Sequence, residues 1–358
     1  MFVIYGAQGM ALGAYKAIKT IFPDQKVDCF LVTERSNNAS VLGGLPVIVL
    51  KDFIVNLSPK DKNEIRILIC TPENIMDAIE KNLDEEGLYN HVRITSLRWA
   101  EMVKNAFIKS GQYRPLSVYP IGSTKSTTHF YKMVHVLDKK LEGNYSNSVE
   151  TSTVQVGAAL SKKLEVDYFD NIGINISDKN LNYSELTGLY WVWKNQMLKD
   201  KGDNSYYGLV HYRRMLQLSE DDILRLGDNN IDVILPYPMP YEPNIEMHHK
   251  RYLSDKEWEL ALQALQELQS DYYEAFKQIL RQQYLYNYNV ILAKKEVMEK
   301  YCEWLFPILF RIEELNSPEC IYHPNRFIGY IGETLETLYF MYNKHNYKIA
   351  HTGCVFLT

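Results

Sequence analysis

Two adjacent arginines, Arg213 and Arg214, are the residues of this chain best suited to binding an anion. They follow the apolar run 206–210, which is typical of a buried strand, and come directly after His211 and Tyr212. Ligands of open α/β sheets bind outside the carboxyl ends of the strands. Because a guanidinium group can bind two phosphate oxygens at once, the pair predicts a phosphate site. In the alternative, one arginine pairs with a carboxylate and the other is solvated.

A predicted helix and a predicted turn come before this strand and position its end. Apolar residues recur at helical spacing over 186–197, which predicts a helix with one buried face. The polar cluster 199–205 predicts the turn between the helix and the strand. We therefore expect the second half of the chain to be organised around the order helix, turn, strand and arginine pair.

Three glycines near the start of the chain, Gly6, Gly9 and Gly13, predict a tight turn from a first strand into a helix. Strands are predicted at 2–5, 27–32, 47–50, 66–70 and 92–95. Because predicted helices alternate with these strands, we expect a small parallel, doubly wound sheet. The glycine spacing is not that of the dinucleotide fingerprint, since the second glycine comes one place late. Two interpretations stay open: a turn without a ligand, and a cofactor-binding site for a nucleotide or sugar-phosphate at the helix N-terminus, formed by the three glycines.

The composition indicates a globular protein with more than one domain. The chain has 358 residues, of which 46% are hydrophobic. A net charge of −5 does not favour nucleic-acid binding. Five cysteines without metal-ligand spacing indicate reduced thiols rather than disulfides or a zinc site. No apolar run could span a bilayer and the chain start does not have the features of a signal peptide, so we expect a cytoplasmic protein.

The predicted domains are a Rossmann-like domain over 1–112, a linker rich in Pro, Ser and Thr over 113–128, and a second domain over 129–358. In the second domain, the pattern over 255–283 predicts a long helix. His248 and His249 precede it and are expected in a solvated loop rather than at a metal, because no carboxylates stand at ligand spacing. Glu333 is expected in the first turn of the last helix, where an acid can simply complement the helix dipole.

Five ordered motifs in the second domain carry a family resemblance. They read NISDKN (175–180), YSELTGLYWVWKN (183–195), GLVHYRRM (208–215), NYNVILAKKEVMEKYCEWLF (287–306) and RFIGYIGETLETLY (326–339). Together they resemble a bacterial capsular and exopolysaccharide glycosyltransferase family, catalogued as domain of unknown function 4422. The first 110 residues resemble, more generally, the N-terminal domain of sugar acetyltransferases, which binds a nucleotide-sugar.

The resemblance implies a glycosyltransferase type A (GT-A-like) α/β fold for the second domain. In that fold a strand usually ends in Asp-x-Asp, which holds a divalent metal on the donor diphosphate. Here His211, Tyr212 and Arg213 stand at that place, so Mg²⁺ or Mn²⁺ is not favoured. Arg213 and Arg214 are expected to neutralise the leaving diphosphate instead. An inverting transfer also needs a carboxylate base, for which Glu333 is the candidate and Glu336 the reserve.

Substrate-binding roles are implied for further residues of the motifs. These residues are His211, Tyr212, Glu185, Asn175, Lys179, Asn180, Trp191, Lys194, Asn289 and Arg326. The implied partners are a nucleotide-sugar donor, UDP-galactofuranose by resemblance, and a lipid-linked or oligosaccharide acceptor. Peripheral contact with the inner face of the membrane is compatible with such an acceptor.

Two other functions stay open at this stage. The absence of Asp-x-Asp is compatible with a non-catalytic sugar-nucleotide-binding or scaffold protein of a polysaccharide-assembly complex. A nicotinamide-dependent oxidoreductase is less well supported, because the glycines are misplaced and no Tyr-x-x-x-Lys pair lies near the first domain.

Overall fold

The computed structural model describes residues 1–36, 38–55, 57–141, 149–200, 202, 204–316 and 326–357. Cys320, one of the five cysteines, lies outside these residues. A first sheet is formed by the strands β1 (Phe2–Tyr5), β2 (Cys29–Val32), β3 (Val41–Leu42), β4 (Leu45–Val49), β5 (Arg66–Ile69) and β6 (His91–Arg93). The helices of this part are α1 (Gly9–Ile21), α2 (Leu50–Ile54), α3 (Pro59–Glu64), α4 (Met76–Glu85) and α5 (Ser96–Ser110).

The rest of the chain forms a second, larger sheet and a small hairpin. The strands are β7 (Thr127–Val134), β8 (Thr151–Gln155), β9 (Tyr168–Phe169), β10 (Ser205–His211), β11 (Arg214–Leu216), β12 (Val233–Pro236), β13 (Met239–Pro240), β14 (Tyr284–Leu285), β15 (Ile291–Lys294), β16 (Ile349–Thr352) and β17 (Cys354–Phe356). The helices are α6 (Asn180–Tyr183), α7 (Leu186–Asn195), α8 (Glu220–Asp228), α9 (Ile245–His249), α10 (Asp255–Leu268), α11 (Ser270–Arg281), α12 (Lys295–Leu315) and α13 (Phe327–Tyr342).

The first sheet has the strand order β3-β4-β2-β1-β5-β6. Apart from the short hairpin β3–β4, all neighbours run parallel. The strand β1 is buried in the middle of the sheet, and the chain turns from its carboxyl end into α1. This arrangement confirms the predicted Rossmann-like parallel sheet.

The second sheet follows the order β16-β12-β15-β10-β7-β8-β9, with β11 and β17 added beside β10. The strand β15 is antiparallel to both of its neighbours, whereas β10, β7, β8 and β9 are parallel. The predicted buried strand at 206–210 is confirmed as β10. The single helix predicted over 255–283 is wrong, because the chain breaks at Gln269 into α10 and α11.

One hydrophobic core extends from the first sheet into the second. Polar contacts reinforce this junction: Lys16 Nζ donates to Gln283 Oε1 at 2.8 Å, and the Gly43 amide donates to Glu242 Oε2 at 2.6 Å. The segment 113–128 packs against the second sheet, since His351 N donates to the Arg114 carbonyl.

The boundaries of the predicted domains stay a prediction. No helix within the described ranges is long and apolar enough to cross a membrane.

The buried carboxylate of Asp170 fixes the chain that leads into α7. It accepts hydrogen bonds from the amides of Gly157 and Ala158, both at 3.0 Å, and from the hydroxyls of Ser177 and Thr187. A buried carboxylate without such donors would strongly destabilise the fold. Asp170 therefore ties the end of β8 to the helix that follows Glu185.

We expect Asp170→Ala to lower the free energy of unfolding by about 3–5 kcal/mol, because four buried donors lose a charged acceptor. Urea denaturation of the purified protein measures this loss. The control is Asp167→Ala, since Asp167 is exposed and accepts from the amide and the hydroxyl of Thr153. Equal small losses in both variants would show that the Asp170 network is not a main support of the fold.

Candidate active site in the cleft between the sheets

A cleft of about 1180 Å³ lies between the two sheets. One side, here called the first-sheet wall, consists of the carboxyl ends of β1, β2 and β5 with the loops that follow them. The opposite side, here called the arginine wall, carries Arg213, Arg214 and Glu333 together with Lys139 and Lys140. Strand carboxyl ends of a parallel sheet are the usual place for a ligand, and here they face the predicted anion site.

Glu333 lies in the second turn of α13, because that helix begins at Phe327. The prediction of a first-turn position, where an acid complements the helix dipole, was therefore wrong. Burial raises the pKa of Glu333 to about 8, and the nearby Glu185 acts in the same direction. The Tyr288 amide and the cations of Arg326 and Arg214 act against this rise without cancelling it. The result is a carboxylate with unusual basicity at the edge of a large cleft.

The corner formed by Tyr288 and Asn289 connects Glu333 to the rest of the site. Both residues have positive φ angles, +73° and +49°, which are uncommon for residues other than glycine. The Tyr288 amide donates to the Glu333 carboxylate, and the Tyr288 carbonyl accepts from the His211 ring. Asn289 donates to Glu185 Oε1 at 2.6 Å. Strained backbone of this kind persists where surrounding contacts determine it, and it concentrates at functional sites.

Arg213 lies in the turn after β10 and Arg214 begins β11, so both stand at the carboxyl end of β10, as the sequence predicts. Arg214 packs its guanidinium over the rings of Tyr288 and Phe356, at 4.9 and 4.6 Å from their centroids. Arg213 lies over the Tyr212 ring at 5.0 Å. Among the described residues, the Nε atoms of both arginines are buried without a hydrogen-bond partner. Stacking on aromatic rings and the hydrogen bond from Arg214 Nη1 to the Arg213 carbonyl at 2.8 Å hold the guanidinium groups in place. Neither arginine forms an ion pair with a carboxylate of the described residues.

Sequence reasoning missed Asp138, which lies beside the arginine wall. Burial raises the pKa of Asp138, whereas the nearby Arg213 and Arg326 act in the opposite direction. Arg326 itself has a positive φ of 63° and donates to Ser184 Oγ at 2.9 Å. The motif signals pointed to the arginines, but nothing in the sequence indicates that the strand end after β7 comes close to them.

Glu336, the reserve base, is completely buried one turn beyond Glu333 and does not line the cleft. Neither of its carboxylate oxygens has a hydrogen-bond partner among the described residues, and burial raises its pKa well above the ordinary value. Glu336 is therefore held protonated inside the core and cannot contact a substrate hydroxyl directly.

Several residues predicted to bind substrate have structural partners outside the lining of the cleft. Lys179 pairs with Glu313 at 2.6 Å, Trp191 donates to the Ile172 carbonyl, and Lys194 lies over the Trp193 ring. Asn175 bonds within its own loop, and Asn180 donates to the Ser184 carbonyl and the Thr187 hydroxyl. These contacts give all five residues a structural role, and their roles in substrate binding stay a prediction.

The three glycines divide between the cleft and the core. Gly6 and Gly9 line the first-sheet wall, whereas Gly13 does not. A Cβ atom on Gly6 would lie 2.5 Å from the Cys70 carbonyl oxygen, and Gly6 has a φ of +122°. A Cβ atom on Gly13 would lie 2.7 Å from the Trp99 ring. Close packing therefore explains Gly6 and Gly13 without a cofactor, and a cofactor role for the glycines stays a prediction.

The histidine pair is not in a solvated loop, so that expectation was wrong. His248 and His249 belong to the short helix α9. His249 is buried, stacks on Trp258 and lies 3.1 Å from the Thr334 hydroxyl. His248 stacks on Tyr241. Burial lowers the pKa of His248 to about 3 and that of His249 to about 4, so both rings are neutral packing groups near pH 7.

The donor set at the end of β10 does not fit the divalent metal that the GT-A resemblance suggests. Mg²⁺ and Mn²⁺ prefer carboxylate oxygens, whereas this strand ends in an imidazole, a phenol and two guanidinium groups. No group of three or more His, Cys, Asp or Glu side chains within the described part of the chain is arranged to hold a metal ion. We therefore derive no chemical step through a metal.

The family model described as Domain of unknown function (DUF4422) matches residues 132–345, well over half of the chain. The chain belongs to this family. No curated protein matches the chain. Among solved structures, it is similar to the apo structure of WbbM, a bifunctional glycosyltransferase, with 26% sequence identity and a TM-score of 0.55. The match covers 65% of this chain and 45% of the WbbM chain, so this chain spans less than half of WbbM.

This DUF4422 member combines a small Rossmann-like parallel sheet with a GT-A-like α/β unit. The predicted fold class is therefore confirmed. The more general likeness of the first sheet to the N-terminal domain of sugar acetyltransferases is not confirmed by these comparisons and stays a prediction.

Proposed function

We propose that this chain is a glycosyltransferase that moves a sugar from a nucleotide-sugar donor to a glycan acceptor. The observation that carries the proposal is the placement of Arg213 and Arg214 in the same cleft as Glu333. Cations and a strongly basic carboxylate are the two groups that an inverting transfer from a diphosphate donor needs. The likeness to WbbM supports the same general activity.

In the proposed reaction, Glu333 takes the proton of an acceptor hydroxyl. The freed oxygen forms a bond to the anomeric carbon of the donor sugar, and the bond from that carbon to the diphosphate breaks. Arg213 and Arg214 stabilise the charge that develops on the leaving nucleoside diphosphate. The proton on Glu333 then passes to solvent, so the products are the extended glycan, the diphosphate and a proton.

The donor that we propose to test first is UDP-galactofuranose, on the family resemblance alone. The proposed acceptor is a lipid-linked or oligosaccharide glycan of capsule or exopolysaccharide assembly.

Thermal unfolding with UDP, GDP, dTDP and NAD⁺ tests the proposal, because a ligand of the folded state raises the melting temperature. A nucleoside diphosphate is expected to stabilise the protein. Stabilisation by NAD⁺ alone would favour an oxidoreductase, and nucleotide-sugar binding without turnover would favour a non-catalytic binding protein.

We expect transfer activity to survive EDTA at least in part, because guanidinium groups stand where carboxylate metal ligands would be needed. The measurement compares release of the nucleoside diphosphate in EDTA and in added Mn²⁺, with the same enzyme preparation. Complete loss in EDTA and recovery with Mn²⁺ would contradict this expectation and would show that a metal replaces the arginines in charge neutralisation.

A further inference from the structure

The two walls of the cleft differ in charge. The arginine wall carries Arg213, Arg214, Lys139 and Lys140. The first-sheet wall is lined instead by hydroxyl, amide and carboxylate groups: Thr33, Glu34, Ser36, Asn38, Thr71 and Asn74. Two cations reach this side of the cleft within the described ranges. Arg93 is held by Asp77 at 2.6 Å and by Glu80, and Arg251 is hydrogen-bonded to Gln8. The cations of the arginine wall have no ion-pair partner within the described residues, so a diphosphate suits that wall, whereas the first-sheet wall suits an uncharged, hydroxylated ligand.

An exposed aromatic pair lies where the two walls meet. Tyr252 is 45% exposed and stacks on Tyr330, with ring centroids 4.9 Å apart. Both rings line the cleft. The neighbouring Arg251 donates to Gln8 Oε1 at 2.7 Å, and Gln8 belongs to the loop after β1. The pair is thereby held next to the first-sheet wall. Tyrosine rings offer an apolar face to the C–H groups of a sugar and a hydroxyl to its oxygens.

Tyr330 also lies close to the proposed base. It precedes Glu333 by three residues on α13, so the two side chains lie on the same face of the helix. In an inverting displacement, the attacking oxygen and the leaving group are on opposite faces of the transferred sugar. The acceptor and the diphosphate must therefore occupy different parts of the cleft, and both must come within reach of Glu333.

We infer that the acceptor glycan binds between the Tyr252–Tyr330 pair and the first-sheet wall, while the donor diphosphate stays on the arginine wall. This inference rests on the proposed transferase function. It gives the small Rossmann-like sheet the role of holding an uncharged sugar, not a second nucleotide. The ligand class is a neutral hexose-containing glycan whose hydroxyls bond to the strand ends of β1, β2 and β5.

The test measures two ligands separately on the full chain. Saturation-transfer NMR measures the binding of a panel of methyl hexosides in the presence of saturating nucleoside diphosphate. Calorimetry measures the affinity for the diphosphate itself. Tyr252→Ala is expected to weaken hexoside binding roughly fivefold to tenfold and to leave diphosphate affinity within about twofold. The double variant Glu34→Ala with Asn74→Ala is expected to do the same. Both substituted residues are exposed, so folding should not suffer.

Arg213→Ala is expected to show the reverse pattern, with weakened diphosphate binding. Tyr89→Ala is the matched control, because Tyr89 is 68% exposed and does not line the cleft. Loss of diphosphate rather than hexoside affinity in Tyr252→Ala would overturn the inference, since the pair would then stack on the nucleobase. Absence of hexoside binding to the wild type would overturn it too. So would hexoside binding that is unchanged both in Tyr252→Ala and in the double variant of Glu34 and Asn74. Failure of every nucleoside diphosphate to bind would instead contradict the proposed function.

Discussion

Glu333→Gln is expected to remove most of the sugar transfer while leaving nucleotide-sugar binding intact. Glutamine keeps the shape of the side chain and its contact with the Tyr288 amide, but it cannot accept the proton of an acceptor hydroxyl. Loss of a positioned general base lowers turnover by roughly 10²–10⁴-fold. The measurement compares donor affinity with the single-turnover rate. High turnover in the variant would show that the base lies elsewhere, and joint loss of binding and folding would show a structural residue.

The pH dependence gives this prediction a second, independent readout. Because the pKa of Glu333 is about 8, the base is mostly protonated at pH 7, and the wild-type rate is expected to rise with pH until about 8. The Gln variant should lose this rise. An ordinary surface carboxylate would instead give a rate that is already constant well below pH 7.

Protein stability should respond to the same group with a defined sign. The folded state keeps a proton on Glu333 up to about pH 8, whereas the unfolded chain loses it near the ordinary pKa of 4.5. Its contribution to stability is therefore complete below pH 4.5 and is lost as the pH rises towards 8. Melting temperatures of the wild type and Glu333→Gln should accordingly converge in acid, with the variant relatively more stable at pH 8.

Arg213→Ala and Arg214→Ala are each expected to cost about 2–4 kcal/mol of transition-state stabilisation, measured from kcat/KM. The physical reason is the loss of a preorganised cation from the arginine wall, where the leaving diphosphate gains charge in the proposed reaction. The effect of Arg214 should be larger if its stacking on Tyr288 also positions the Tyr288–Asn289 corner.

The matched control for the arginines is Arg311→Ala. Arg311 pairs with Glu267 and Glu314 on the surface and does not line the cleft. Arg213→Lys and Arg214→Lys should keep part of the rate that the alanine variants lose, since lysine retains the positive charge but cannot form the bidentate hydrogen bonds of a guanidinium group. Rates close to wild type in both alanine variants would remove the arginines from the reaction.

The sequence predicts the elements of this fold well because its signals are local. The apolar run at 206–210, the glycines after β1 and the alternation of strands and helices all depend on nearby residues, and β10 and the parallel first sheet confirm them. The prediction of one helix over 255–283 was wrong at Gln269. The apolar residues keep their helical spacing across the break between α10 and α11, so the pattern does not reveal it.

The site was harder to predict because it depends on contacts between distant segments. The high pKa of Glu333 arises from burial and from Glu185, which is distant in sequence. The positive φ angles of Tyr288 and Asn289 have no marker in the sequence other than one asparagine. The cleft itself exists only because the first sheet packs against the second, and no local pattern predicts that contact.

The most direct test of the central claim is release of nucleoside diphosphate from a panel of UDP-, GDP- and dTDP-sugars, with and without an oligosaccharide acceptor. We expect one donor class to be turned over by the wild type, with an acceptor-dependent rate that rises towards pH 8. The same reaction should be lost in Glu333→Gln although the donor still binds. Donor binding without turnover in the wild type, across the whole panel and pH range, would contradict catalysis and leave a binding protein.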